Sequence, residues 1–146
     1  SVIDSNNQRK KILLTRIFKI MGNNLRNKKI TFLGVTFKAN TDDMRESTSL
    51  SLFPSIIKSG GIIQYYDPSG SKKILDKYKN VTFFNNISSA CYKSDLIIIH
   101  TEWNEFKSIN FKSIIKKKKF KIFDMRNLYS YKKMINNKIE YYCIGK

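Results

Sequence analysis

Three stretches of the chain carry the residues able to do chemistry. The first, Phe37-Lys38-Ala39-Asn40-Thr41-Asp42-Asp43-Met44-Arg45-Glu46-Ser47, holds two cations among acids and hydroxyls. The second, His100-Thr101-Glu102-Trp103, follows an apolar run, and the third, Asp124-Met125-Arg126, closes another. Lys38, Arg45 and Arg126 suit an anion, because Lys brings a point charge and Arg a planar fork that matches phosphate. No nucleophile has a base in view. His100, the one histidine, ends an apolar run and reads as a satisfied structural residue. Cys91 and Cys143 lie far apart, outside any CxxC and without a partner histidine. They read as buried, reduced thiols of a cytoplasmic protein, not as a disulfide, a metal site or a nucleophile. The remaining chemistry is the binding of a phosphorylated small molecule.

The elements that must position these residues follow from the apolar periods. Ile12, Leu13, Ile17, Ile20 and Met21 recur at three- and four-residue steps and predict an amphipathic helix from Val2 to about Asn24. After it, strand-like and helix-like segments alternate. Strands are predicted at 29–34, 62–66, 81–84, 95–100, 121–124 and 140–144, and helices at 49–59, 72–78, 88–93, 109–115 and 131–136. Pro54 fits the first of these helices only in its first turn or at a kink. Such alternation predicts a Rossmann-like, doubly wound, mainly parallel α/β sheet with helices on both faces, preceded by one amphipathic helix.

Ligands of such sheets sit outside the carboxyl ends of the strands. Phe37, Lys38, Asn40, Asp43 and Arg45 follow the first strand, Asp67 the second, Glu102 and Trp103 the fourth, and Asp124 and Arg126 the fifth. Lys38, Arg45 and Arg126 are therefore expected to converge on one anion, near the N-terminus of the helix that starts at Ser49. A dinucleotide fingerprint needs GxGxxG in the first loop, and only Gly34 is there. Asp67 stands 33 residues beyond Gly34 and precedes Pro68, which reads as a turn and not as a ribose ligand. Asp42 to Ser47 also fits a loop with helix-capping acids and a local ion pair, so both readings of that stretch stand.

The chain has 146 residues, 41% of them hydrophobic and 13% aromatic, which describes a globular domain and excludes disordered and fibrous classes. No apolar run approaches the roughly 20 residues of a membrane span. The chain starts at Ser1 without a signal pattern, and the expectation is a piece of a longer protein. The formal charge of +17 comes with 23 Lys, 21 Ile and 14 Asn but only 5 Arg, the pattern of a coding bias spread over the whole chain. The one dense run, Lys116 to Lys119, reads as a solvated helix end or loop. Two rivals remain open: a small basic nucleic-acid-binding module, and a stand-alone nucleotide-binding module.

The stretch from Gly34 to Ser47 resembles the GLxFKxxTDDxRxSP signature that opens the C-terminal domain of the UDP-glucose/GDP-mannose dehydrogenase family. Tyr66-Asp67-Pro68, Thr101-Glu102-Trp103 with Phe106 close behind, and Phe123-Asp124-Met125-Arg126-Asn127 are similar to further family segments in order and spacing. The resemblance implies that residues 1–27 are the end of a central connecting and dimerisation helix and residues 28–146 a C-terminal UDP-sugar-binding domain. It also implies a separate N-terminal NAD-binding domain, a homodimer in the full-length protein, and oxidation of a UDP-sugar, UDP-glucose to UDP-glucuronate. By the same resemblance Phe37, Lys38 and Arg126 contact the UDP-sugar, Arg45 reaches NAD on the facing domain, and Asn40, Asp43, Glu102 and Trp103 support them. Thr48 replaces the family's Pro. The family's catalytic Cys loop and GxGxxG are absent, so this stretch alone is not expected to oxidise anything.

Overall fold

The computed structural model describes residues 2–115 and 117–145, with side chains from residue 7 onward. Lys116, the first residue of the basic run, lies outside them; Lys117 to Lys119 form an exposed loop. Six strands make one sheet: β1 (Lys29–Leu33), β2 (Ile62–Tyr66), β3 (Val81–Phe83), β4 (Leu96–Ile99), β5 (Lys121–Asp124) and β6 (Glu140–Cys143). All neighbours run parallel in the order β3-β2-β1-β4-β5-β6, and the register aligns Leu33 with Tyr66 on one side and Ile99 on the other. This is the doubly wound order whose direction reverses between β1 and β4. Those two central strands are buried on both faces, which explains their unbroken apolar runs.

Alternation along each strand divides the core in two. Ile30, Phe32, Ile63, Tyr65, Ile98 and Phe123 face α1 (Val2–Ile20) and α2 (Ser49–Lys58). Leu33, Ile97, Ile99, Ile122 and Tyr141 face the other way, toward the short helices α3 (Ile87–Cys91), α4 (Phe111–Ile114) and α5 (Tyr131–Asn136). Both cysteines are buried thiols in this second layer, not joined in a disulfide, and burial pushes the Cys91 thiol up to about 12. Among the described residues no helix is long and apolar enough to cross a membrane.

The departures from the periodicity are short. The helix expected at 72–78 is a single 3₁₀ turn at Lys73–Leu75, because Lys72 is extended and gives its amide to the Tyr65 hydroxyl at 2.8 Å. Only Leu75 of that turn is fully buried, too little apolar surface to hold a longer helix. The helix expected at 109–115 is divided: a 3₁₀ turn covers Asn104–Ser108, Ile109 is extended, and α4 begins after Asn110. α1 stops at Ile20, where Gly22 and Asn23 take left-handed conformations. Pro54 stands at the sixth residue of α2, past its first turn, on the exposed face; the helix forgoes one backbone bond and continues.

Candidate functional site

Above the reversal point, the loop after β1 is tied down by short-range polar contacts. Gly34, at φ +79°, lets Thr101 come so close that an added Cβ would lie 2.5 Å from the Thr101 Cβ. Thr101 Oγ1 then donates to the Thr36 carbonyl at 2.9 Å, joining the β1 and β4 loops. Val35 N–H donates to Asp67 at 2.8 Å, while Ser47 and Ser49 hydroxyls both donate to the Val35 carbonyl, at 2.6 and 2.8 Å. Thr36 Oγ1 reaches the Lys38 carbonyl at 2.9 Å, and Phe37 N–H the Asp43 carbonyl at 3.1 Å. The loop therefore presents Phe37, 48% exposed, and Lys38 outward from a fixed base.

Arg126 arrives from the end of β5. Its guanidinium donates from Nε to the His100 carbonyl at 2.9 Å and from Nη2 to the Phe37 carbonyl at 3.1 Å. Neither contact uses Nη1. Asp124 accepts from the Arg126, Leu128 and Tyr129 amides at 3.0, 2.7 and 3.0 Å and from the Tyr141 hydroxyl at 2.6 Å, which shapes the turn carrying Arg126. Phe37, Lys38 and Arg126 line one cavity of about 320 Å³. Arg9 and Lys10 of α1 complete its cationic wall, against the single carboxylate of Glu46.

Not every expected residue comes to this cavity. Arg45 does not converge with Lys38 and Arg126; its guanidinium forms a two-pronged ion pair with Asp43 at 3.0–3.3 Å and stands 89% exposed over a separate depression bordered by Ser69 and Lys72. Arg45, its largest influence being that hydrogen bond, holds the Asp43 carboxyl below its ordinary pKa. Asn40, Glu102 and Trp103 also lie outside the cavity lining. Trp103 packs on the second core layer, its Nε1–H buried without an acceptor among the described residues. Asp67 is an organiser of turns, accepting from Val35 and Ser69, in line with its reading from sequence. His100 is buried between the Thr48 and Thr101 hydroxyls at 2.7 and 2.9 Å, also a structural role.

The strand-end rule missed Arg9, Lys10, Leu13, Glu46, Thr48 and Met125. The first three sit on the helix before the sheet, where only their place on its apolar stripe gives a signal. The crevice carries no dinucleotide fingerprint. The first loop has a single glycine, and Asp67, at the end of β2 where a ribose acid would stand, has both oxygens engaged with the protein. No metal-ligating group of three or more His, Cys, Asp or Glu exists among the described residues.

Fold and site together define a doubly wound α/β domain with a crevice lined mainly by cations at its reversal point. Residues 31–131 match the UDP-glucose/GDP-mannose dehydrogenase family, UDP binding domain, and this chain belongs to that family. It is 34% identical to a UDP-glucose 6-dehydrogenase of Rickettsia felis, over 99% of this chain and 33% of that protein. It is 33% identical to a UDP-glucose 6-dehydrogenase of Gallus gallus, over 87% of this chain and 29% of that protein. The chain thus spans about a third of the length of these relatives. A solved UDP-glucose dehydrogenase from Pyrobaculum islandicum superposes with a TM-score of 0.74 at 20% identity, over 99% of this chain and 31% of that one. An NDP-N-acetyl-D-galactosaminuronic acid dehydrogenase from Methanosarcina mazei gives 0.76 at 21%, over 95% and 29%. At these identities the structures speak to the fold.

Proposed function

We propose that the crevice grips the diphosphate of a UDP-sugar, and that residues 28–146 act as the C-terminal substrate-binding domain of an NAD-dependent dehydrogenase oxidising UDP-glucose to UDP-glucuronate. The observation that carries this reading is the meeting of Phe37, Lys38 and Arg126 around one cationic cavity, in a chain that matches a UDP-binding domain. Lys38 supplies a mobile point charge to one phosphate, and Arg126, already oriented by two carbonyls, supplies a fork to the other. The exposed Phe37 ring offers an apolar surface to the nucleotide.

Oxidation of the C6 alcohol to a carboxylate removes two hydrides, taken by two NAD⁺, and incorporates one water. On this reading an N-terminal domain of the same protein binds the NAD, Arg45 reaches it across the gap between domains, and residues 1–27 end the helix that forms a homodimer, in the cytoplasm. This domain's contribution is position: a sugar held by its diphosphate places C6 at the reacting groups, an effect worth several kcal/mol of barrier.

The test is calorimetric titration of the chain with UDP-glucose, UDP and NAD⁺. UDP and UDP-glucose are expected to bind, and NAD⁺ not. Lys38→Ala and Arg126→Ala are each expected to weaken UDP by about 1.5–3 kcal/mol, the range for hydrogen bonds to charged groups. Unchanged UDP affinity in both variants, or NAD⁺ binding as tightly as UDP, overturns the reading.

A further inference from the structure

α1 lays a stripe of side chains on the sheet: Leu13, Ile17 and Ile20 are all buried. One helical step earlier, four residues before Leu13, the stripe changes character and ends in Arg9, which is exposed and overhangs the crevice. The helix that carries it is firmly seated. Arg16 donates to the Cys143 carbonyl at 2.8 Å and lies 5.0 Å above the Phe123 ring, and Lys121 Nζ donates to the Ile20 carbonyl at 2.7 Å. These contacts anchor the C-terminal half of α1, and Arg9, seven residues before Arg16 on the same helix, lines the cavity together with Lys38 and Arg126.

Like charges gathered around one space repel unless an anion lies between them. Arg126 registers this: its pKa is lowered first by burial and, against the opposing pull of Glu102, also by Arg9. Glu46 is the one carboxylate on the wall and cannot neutralise four cations.

We infer that Arg9 is a third ligand of the diphosphate, contributed by the helix that precedes the sheet, so that a bound nucleotide bridges α1 to the β1 and β5 loops. This rests on the UDP-sugar reading for the identity of the ligand, but the three-cation geometry applies to any diphosphate. Occupancy of the crevice then fastens the N-terminal half of α1 to the domain.

The experiment titrates inorganic pyrophosphate and UDP separately into the wild-type chain and into Arg9→Gln and Arg126→Gln, with thermal melts as a check that the exposed Arg9 is dispensable for folding. Both ligands are expected to bind the wild type, and Arg9→Gln to weaken each about tenfold. Amide exchange of residues 7–12 is expected to slow with pyrophosphate in the wild type and not in Arg9→Gln. If Arg126→Gln weakens binding while Arg9→Gln leaves affinity and exchange unchanged, the inference about Arg9 is overturned and the UDP-sugar reading survives. If both variants weaken pyrophosphate but UDP binds the wild type no better than pyrophosphate, Arg9 stands as a ligand and the uridine reading falls. If neither ligand binds the wild type, both fall.

Discussion

At the scale of single residues, His100 shows how a histidine beside a binding crevice is kept from acting as an acid or base. The Thr101 hydroxyl has one proton and donates it to the Thr36 carbonyl, so toward His100 Nδ1 it accepts. The ring therefore carries its proton on Nδ1, and Nε2 accepts from Thr48. Burial, helped by the positive charge of Arg126, holds the imidazole pKa down to about 3. Unfolded histidine titrates near 6.5, so between the two values the unfolded chain binds the extra proton. The stabilisation is complete above about pH 6.5 and is lost as pH falls below it, by up to about 1.4 kcal/mol per pH unit. Urea unfolding at pH 7, 6 and 5 is expected to show this decline, and His100→Gln to flatten it; an equal slope in the variant excludes His100 as its source. Gly34→Ala meets a harder limit, because a side chain at φ +79° is strained and its Cβ would overlap Thr101. The expected loss is about 2 kcal/mol or more in the same assay, through strain and overpacking together.

At the scale of elements, the turn after β5 depends on one carboxylate. Asp124 is fully buried and accepts four hydrogen bonds, two amides and a hydroxyl of them on a single oxygen. Asp124→Asn replaces one acceptor by an amide donor pointed at donors, with an expected cost of about 2–3 kcal/mol in unfolding free energy. It also releases the base of Arg126, so pyrophosphate affinity is expected to fall in the folded variant; a folded Asp124→Asn with wild-type affinity means the Arg126 fork is set by its carbonyl contacts alone. The central strands were legible in the sequence because β1 and β4 are apolar runs buried on both faces and closed by polar or turn residues. Lys38 and Arg126 were legible as strand-end residues for the same reason. What the pattern did not reach was decided by tertiary contacts, the Tyr65 hydroxyl that fixes Lys72 and the packing of α1 that brings Arg9 to the cavity, whereas the Asp43–Arg45 pair that keeps Arg45 away is the local ion pair the sequence itself offered as the alternative reading of that loop. Tyr65 and Lys72 stand seven residues apart across a turn, and Arg9 is distant in sequence from the strand ends it meets, so neither contact leaves a periodic signal.

At the scale of the whole molecule, the charge of +17 must be divided between the crevice and everything else. Much of the remainder has local work: Lys117 pairs with Asp95, Lys121 holds the end of α1, and Lys72 is buried against Ser69. Lys112, Lys118, Lys119 and Lys138 surround a different depression, beside the starts of β5 and β6 and so at the opposite end of the strands from the crevice. A polyanion drawn by net charge samples such dispersed lysines, and its affinity falls linearly with the logarithm of salt, with a slope of about −0.7 per neutralised phosphate for single strands. A diphosphate in the crevice meets only the few cations that converge there. The two kinds of binding are therefore expected to separate by mutation. Replacing Lys118, Lys119 and Lys138 by Gln should weaken a random single-stranded oligonucleotide and reduce its salt slope while leaving pyrophosphate affinity unchanged; Arg126→Gln should do the reverse. Fluorescence anisotropy for the oligonucleotide and calorimetry for pyrophosphate, each from 50 to 300 mM salt, read the two slopes on the order that screening allows. If both sets of substitutions move both ligands together, the positive surface is one continuous polyanion site and the crevice has no separate identity as a small-molecule pocket. If they separate, the high charge is a background on which a localised anion site, built by α1, the β1 loop and β5, does its own selective binding.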